Sequence, residues 1–217
     1  MANAADIRCR LCLVTPPDYA PDAFAAELAE ALSGGDVASL IVTAPPGGES
    51  QFQKAAEALV PIAQARGTAA LIHNETRIAA RAGADGVHVD TGLADMRAAR
   101  ESLRGGRIVG AGGVNSRHEA LEYGEADPDY IFFGRLHGDS GDGIFPKALE
   151  LAAWWSSVTV IPAIVMGGRN LASVEDAADN GIEFVALSAA VWNHPRGPRR
   201  AVAEAADRLT SVREPAA

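Results

Sequence analysis

Short apolar runs alternate with longer amphipathic stretches eight times along the chain. The runs are mostly apolar rather than alternating, which is typical of strands buried on both faces of a parallel sheet. We predict strands at residues 11–14, 39–42, 69–72, 86–89, 108–111, 130–133, 160–165 and 184–187.

The stretches between these runs have helical periodicity. Ser116 and Glu119 form a capping-box pattern that predicts one helix start. The other predicted helices comprise residues 24–32, 52–65, 76–82, 93–103, 147–155, 171–179 and 199–209. Eight strand–helix pairs favour one (β/α)₈ TIM barrel, with a doubly wound open sheet as the alternative. We predict a single domain over residues 1–217, with a frayed tail at 210–217.

The composition narrows the choice of partners. The 217 residues carry a formal net charge of −9, and only 19 of them are Lys or Arg. No basic stripe occurs, so we expect no nucleic-acid partner. The apolar runs are far shorter than the roughly 20 residues that span a bilayer, so we expect no membrane span. Residues 1–10 lack the apolar segment of a secretory signal, which favours a cytoplasmic protein. The sequence leaves open whether the protein forms a homo-oligomer.

Cys9 and Cys12 form a C-x-x-C motif beside the first predicted strand. A redox motif of this kind normally opens a helix, and residues three apart on a strand face opposite sides. We therefore predict two buried, reduced thiols rather than a redox pair.

The loops after the last two strands predict a phosphate site. In a (β/α)₈ barrel the functional loops follow the strands, and those after strands seven and eight commonly bind phosphate. Glycine lets backbone N–H groups approach an anion, and a helix N-terminus favours negative charge. The predicted phosphate-binding residues are Gly167, Gly168, Ser188, Ala189 and Ala190, with Arg169 as a further donor. The alternatives are a simple chain turn and a solvated arginine.

Two other loops carry candidate catalytic and binding residues. His73 and Asn74 end the third strand, where both can hydrogen-bond a heterocycle and His73 can move a proton. The alternative is a polar strand end that caps the following helix. On the long loop after strand six, Arg135 can clamp an anion and His137 can act as an acid or base. The alternative there is a glycine-rich loop whose charges keep it solvated.

The remaining polar residues near the strand ends give weaker signals. His88 lies within the fourth strand, and we interpret it as a packed, hydrogen-bonded histidine. Glu75, Asp90 and Asp95 are the acidic residues nearest the barrel mouth, yet their spacing supports no specific metal geometry. We assign no metal ligands.

Four segments, in this order and spacing, resemble one family. They are Gly83-Ala-Asp-Gly-Val-His88, Asp129-Tyr-Ile-Phe-Phe-Gly134, Ile161-Pro-Ala-Ile-Val-Met-Gly-Gly168 and the stretch at 185–191. The set is similar to the thiamine-phosphate synthase family, which includes a thiazole tautomerase branch. The resemblance implies a (β/α)₈ barrel and a phosphorylated small-molecule ligand. It also implies, for the synthases, the joining of a pyrimidine pyrophosphate to a thiazole phosphate with magnesium.

The family's catalytic residues are replaced in this chain. The Arg-x-Lys after strand two becomes Thr43-Ala-Pro-Pro46, and the Asn-Asp after strand three becomes His73-Asn74. The second magnesium Asp aligns with Leu93, the Ser after strand five with Gly112, and the Thr-x-Thr-Lys after strand six with Asp139-Ser-Gly-Asp142. The tautomerase His aligns with Arg135, two residues before His137. Magnesium is therefore the possible cofactor, but the family's ligands for it are not kept.

One main interpretation and three alternatives remain open from the sequence. The main interpretation is a divergent family member of thiamine metabolism that binds a thiazole phosphate-like ligand and has lost most synthase residues. A departing pyrophosphate needs positive charge for its stabilisation, and the replaced residues no longer supply it. The alternatives are an active thiamine-phosphate synthase, a thiazole tautomerase-like isomerase that uses His73 or His137, and a non-catalytic phosphate-ligand binder.

Overall fold

Eight parallel strands pair in sequence order and close into a barrel within residues 9–103 and 105–212, which the computed structural model describes. Pairing of the first strand with the last, Leu13 opposite Leu187, completes the closure. The predicted (β/α)₈ fold is confirmed, and the open-sheet alternative is wrong. The strands are β1 (Arg10–Val14), β2 (Val37–Val42), β3 (Ala69–His73), β4 (Gly86–Val89), β5 (Ile108–Val114), β6 (Tyr130–Phe133), β7 (Ala163–Met166) and β8 (Phe184–Leu187).

A helix follows each strand, and β8 is followed by two. They are α1 (Pro21–Leu32), α2 (Glu49–Gln64), α3 (Thr76–Ala82), α4 (Leu93–Ser102), α5 (Arg117–Gly124), α6 (Pro146–Val158), α7 (Ser173–Asp179), α8 (Ala189–Trp192) and α9 (Pro198–Ser211). The predicted capping box is present, because Ser116 Oγ accepts from the Glu119 N–H at 3.2 Å. Within the described residues, no helix has the length and apolar character to cross a membrane.

Several element boundaries differ from the prediction by a few residues. β7 begins at Ala163 rather than 160, because Val160 is 97% exposed and Pro162 has no N–H for the ladder. β5 extends through a register shift between Ala111 and Val114. The predicted tail at 210–217 starts within α9, which ends at Ser211. Residues 213–217 lie outside the described residues, as do residues 1–8, so the frayed tail stays a prediction.

The interior of the barrel is filled by side chains, as in other barrels of eight strands. Tyr130 enters this interior across Gly110, where an added Cβ would lie 1.9 Å from the tyrosine Cζ. A larger apolar layer lies between the strands and the surrounding helices. The packed interior leaves the strand ends and their loops as the place for chemistry.

The chain is also tied together across its ends. Trp192 Nε1 donates to the Val14 carbonyl at 2.7 Å, which fixes α8 against the carboxyl end of β1. The Trp192 ring packs edge-on against Phe24 of α1, with ring centroids 4.7 Å apart.

Both described cysteines are free thiols, as predicted. Cys12 is buried inside the barrel, whereas Cys9 is half-buried and packs against the outer layer. Burial raises the pKa of Cys9 to about 12 and that of Cys12 to about 11. Neither is the reactive thiolate that a redox motif needs.

Candidate functional site

The mouth between β1 and β2 is closed by neutral side chains. The hydroxyls of Thr15 and Thr43 lie 2.8 Å apart, and both residues are buried. Tyr19 donates its hydroxyl to the Thr43 carbonyl at 2.6 Å. This is the position where the family resemblance places Arg-x-Lys. An anion at this position would therefore meet hydroxyl groups that already have hydrogen-bond partners, rather than positive charge.

At the ends of β3 and β4 the structure brings the predicted residues His73 and Asn74 together with Asp90. His73 Nε2 lies 2.9 Å from Asp90 Oδ1, and Asn74 Nδ2 lies 2.9 Å from the same oxygen. The Asp90 N–H donates back to Asn74 Oδ1 at 3.0 Å. The hydrogen bond from His73, with a smaller one from Asn74, holds the pKa of Asp90 well below its usual range, although partial burial opposes it. Asp90 is therefore an ionised carboxylate at neutral pH.

His88 is the packed histidine that its place in β4 predicts. It is fully buried, and its Nδ1 lies 3.0 Å from the Tyr130 hydroxyl. Burial, with a smaller contribution from His73, lowers the pKa of His88 to about 3. The ring is therefore neutral. Its Nε2 faces Gly112, where an added Cβ would lie 2.6 Å away.

The positions that the resemblance gives to magnesium do not suit that ion here. Mg²⁺ is bound through carboxylates and substrate phosphates. Asn74 supplies an amide that is already bonded to Asp90, and Leu93 supplies an apolar side chain that packs against the core. No group of three or more His, Cys, Asp or Glu in the described ranges could hold a metal ion.

The loop between β6 and α6 (residues 134–145), the β6–α6 loop, is fastened across the barrel mouth. His137 Nε2 donates to the Thr15 carbonyl at 2.8 Å. Asp139, which is buried, accepts from the Ala189 N–H at 2.6 Å. The Arg169 N–H donates to the Gly141 carbonyl at 2.8 Å. The loop thus reaches the ends of β1, β7 and β8.

The predicted phosphate-binding backbone lies under this loop, and the N–H groups of Gly167, Gly168 and Ala189 have acceptors within the protein. Gly167 N–H donates to the Ala186 carbonyl at 2.8 Å, and Gly168 N–H donates to Ser173 Oγ at 3.0 Å. An added Cβ at Gly168 would lie 2.1 Å from the Asp142 carbonyl oxygen. The close approach that requires glycine here is made by the β6–α6 loop. Ser188 and Ala190 are buried, and Ala189 is bonded to Asp139.

Beside the loop lies a cavity of about 620 Å³, whose polar lining includes Arg135, His137, Ser140 and Lys147. The side chains of Arg135 and Lys147 are exposed and have no hydrogen bond or ion pair with any described residue. Arg169, by contrast, lies outside the cavity and pairs with Asp142 at 3.2 Å. The apolar lining includes Leu136, Leu151 and Phe145, which is 64% exposed. We call this space the Arg135 cavity.

Sequence reasoning missed Lys147 and gave Asp90 no role. Lys147 lies in the first turn of α6, where the helix dipole disfavours a cation, and that unfavourable placement was the available signal. Asp90 directly follows β4, so its position beside the end of β3 could be read from the parallel order. Two candidate residues have left-handed backbone, Asn74 and His137, both with φ of 59°. Such strain in non-glycine residues is concentrated at functional sites.

Comparison with known proteins decides the family. The model of the family described as thiamine monophosphate synthase matches residues 11–191. The chain belongs to the thiamine monophosphate synthase family. A thiamine-phosphate synthase of Rhodospirillum centenum is 37% identical over 90% of this chain and 95% of that protein. One of Hyphomonas neptunium is 36% identical over 90% and 91% of the two chains.

A solved structure supports the fold. Thiamine phosphate pyrophosphorylase from Pyrococcus furiosus superposes with a TM-score of 0.77, covering 97% of this chain and 99% of that one. At 21% sequence identity this similarity speaks for the barrel alone.

Proposed function

We propose that this family member acts in thiamine biosynthesis by binding a thiazole phosphate-like molecule in the Arg135 cavity. One observation carries the proposal. Arg135 and Lys147, both without a protein partner, line the same cavity in a chain whose net charge is −9. Unpaired cations that line one cavity fit an anionic group, because charge-assisted hydrogen bonds to phosphate are among the strongest in proteins.

The rest of the cavity suits a small heterocycle. Ligand sites are mostly apolar with a few placed polar groups. Phe145 and Leu136 offer surface to a ring, while Ser140 and His137 offer hydrogen bonds. The family membership and the names of its relatives supply the ligand class.

The backbone around Gly167, Gly168, Ala189 and Ala190 is a second position for the phosphate within this proposal. An anion can reach the Ala189 N–H only after the Asp139 carboxylate leaves it. For this reason we assign the first contact with phosphate to the two cavity cations.

Thiamine-phosphate synthase activity is the second candidate, and the relatives' name favours it. The neutral Thr15–Thr43 sector and the unsuited magnesium positions argue for slow turnover, since losing even one charge-stabilising donor costs about 10²- to 10³-fold. The assay supplies pyrimidine pyrophosphate, thiazole phosphate and magnesium, and follows thiamine phosphate. Turnover within about two decades of the roughly 10 per second of a typical enzyme establishes the synthase instead.

The binding test uses Arg135→Gln and Lys147→Gln, with Arg66→Gln and Lys54→Gln as matched controls. The control residues are exposed cations that do not line the cavity. Calorimetric titration with thiazole phosphate, and with inorganic phosphate as the minimal anion, should show about tenfold or greater weakening for each cavity variant, the effect of losing a charge-assisted hydrogen bond. Equal affinities in cavity and control variants would place the anion elsewhere and remove the basis of the proposal.

A further inference from the structure

The carboxylate of Asp90 decides which tautomer a neutral His73 ring takes. The Nε2 atom of His73 lies 2.9 Å from Asp90 Oδ1 and 2.9 Å from Asn74 Nδ2. An ionised carboxylate can only accept a hydrogen bond. A bare Nε2 would set its lone pair against the carboxylate, so Nε2 carries the proton and donates it to Asp90. The Asn74 amide has its own acceptor in Asp90 Oδ1 at 2.9 Å.

This assignment leaves His73 Nδ1 with a free lone pair. No described residue forms a hydrogen bond with Nδ1, and the His73 side chain is 23% exposed at the carboxyl end of β3. In a neutral imidazole one ring nitrogen donates while the other accepts. Nδ1 is therefore the accepting atom, on a ring that solvent and small molecules can reach.

The backbone holds the cluster in place. The Asn74 N–H donates to the His88 carbonyl at 2.8 Å, and Asn74 takes a left-handed conformation with φ of 59°. Gly112 packs behind the cluster, since an added Cβ would lie 3.1 Å from the Asp90 Cβ. The serine that the resemblance expects at this position would require the His88 ring to shift, because its Cβ would lie 2.6 Å from His88 Nε2. The glycine and the cluster therefore belong to one arrangement.

We propose that His73 and Asp90 form a general-base dyad, in which Nδ1 of His73 takes a proton from an O–H, N–H or acidic C–H group of a small molecule that reaches the carboxyl ends of β3 and β4. The electron pair of the broken bond stays on the ligand atom, and the proton forms a bond to Nδ1. The resulting imidazolium is held by its Nε2–H bond to the Asp90 carboxylate, as in other carboxylate–histidine pairs. Return of the proton to another ligand atom completes an isomerisation without oxidant or reductant.

The proposed function supplies the substrate class, and the dyad adds only the need for an exchangeable proton. The class is a phosphorylated heterocycle with an exchangeable proton. His73 is the base, and Asp90 is a positioning residue that fixes the tautomer. This inference rests on the proposed function for its ligand only, because the state of the dyad can be measured with no ligand present.

The first measurement is a long-range proton–nitrogen NMR spectrum of the full chain above neutral pH. His73, assigned with His73→Gln, should show a protonated Nε2 and a bare Nδ1. Asp90→Ala should move its nitrogen shifts toward the averaged values of His118, whose side chain is 83% exposed. A protonated Nδ1 in the parent, or His73 shifts that Asp90→Ala leaves unchanged, overturns the proposal.

The second measurement is the rate at which diethyl pyrocarbonate modifies each histidine, followed by mass spectrometry. Asp90→Asn keeps the size of the side chain and removes its charge, so it also serves if Asp90→Ala is poorly folded. We expect it to slow modification of His73 about tenfold, equivalent to about 1.4 kcal/mol. The control is Glu122→Gln, which removes the carboxylate 3.7 Å from the exposed His118 and should leave the His118 rate nearly unchanged. If Asp90→Asn and Glu122→Gln slow modification of their histidines equally, or if His73 is not slowed at all, the dyad is overturned. The binding of an anion in the Arg135 cavity is tested separately by the titrations described above.

Discussion

At Gly168, one added methyl group should displace the β6–α6 loop that lies across the barrel mouth. An alanine Cβ there would lie 2.1 Å from the Asp142 carbonyl oxygen and 2.7 Å from that of Gly143. An ordinary contact of 3.4 Å requires the loop to retreat by about 1.3 Å. That movement breaks the bonds from the Arg169 and Asn170 N–H groups to the β6–α6 loop, which are 2.8 and 3.1 Å long.

The expected cost of Gly168→Ala follows from these contacts. Each lost hydrogen bond contributes about 0.5–1.5 kcal/mol, so we expect the free energy of unfolding to fall by about 2 kcal/mol. For a chain of this size that corresponds to a fall in Tm of about 4–8 °C. Calorimetry measures the Tm, and hydrogen exchange should show faster exchange at the Arg169 and Asn170 amides.

Gly143→Ala is the matched control, because an added Cβ at Gly143 meets nothing within 4 Å. It should change the Tm little. If Gly168→Ala is no less stable than Gly143→Ala and its amide exchange is unchanged, the glycine is not required by the loop.

Two further predictions concern buried side chains. The pKa of His88 is lowered from 6.5 to about 3. Below pH 6.5 His88 therefore binds a proton in the unfolded chain but stays neutral in the folded chain. Stability from this group is complete above pH 6.5 and is lost as the pH falls toward 3, by about 1.4 kcal/mol per pH unit at most. Denaturation of His88→Gln should show a shallower loss between pH 6.5 and 5, and equal slopes would contradict this. Trp155, which is 1% exposed, donates Nε1 to the Ile161 carbonyl at 2.8 Å. Trp155→Phe should lower the free energy of unfolding by about 1–3 kcal/mol in urea titrations, and a neutral result would refute that accounting.

The hydrophobic pattern predicts most of this fold because each strand is buried on both faces, and eight such runs have few ways to pair. It overestimates β7, because Val160 is apolar yet 97% exposed, and apolar character alone does not report exposure. The short helix at Ala189–Trp192 is too brief to show periodicity. Boundaries therefore depended on proline and on loop geometry that local sequence does not encode.

The candidate site was less accessible to sequence reasoning. His73 and Arg135 could be picked because their residue types suit catalysis and anion binding. The hydrogen-bond partner of Ala189 could not be predicted, because Asp139 lies 50 positions away in the sequence and reaches Ala189 only through the path of a long loop. Gly168 was predicted to bind phosphate, but the close approach of the Asp142 carbonyl also explains why a glycine is needed there. Three-dimensional loop paths, rather than residue types, separate these interpretations.

The bond from Trp192 to the Val14 carbonyl, with the pairing of β1 and β8, has a consequence for synthesis in the cell. At about 5–20 residues per second, a ribosome needs roughly 10–35 seconds to move from β1 to β8. Throughout that time β1 keeps one edge unpaired, and an open edge invites pairing with other chains. Ribosome-bound nascent chains that stop before Phe184 should therefore depend on chaperones, whereas chains extending past Trp192 should be released from them.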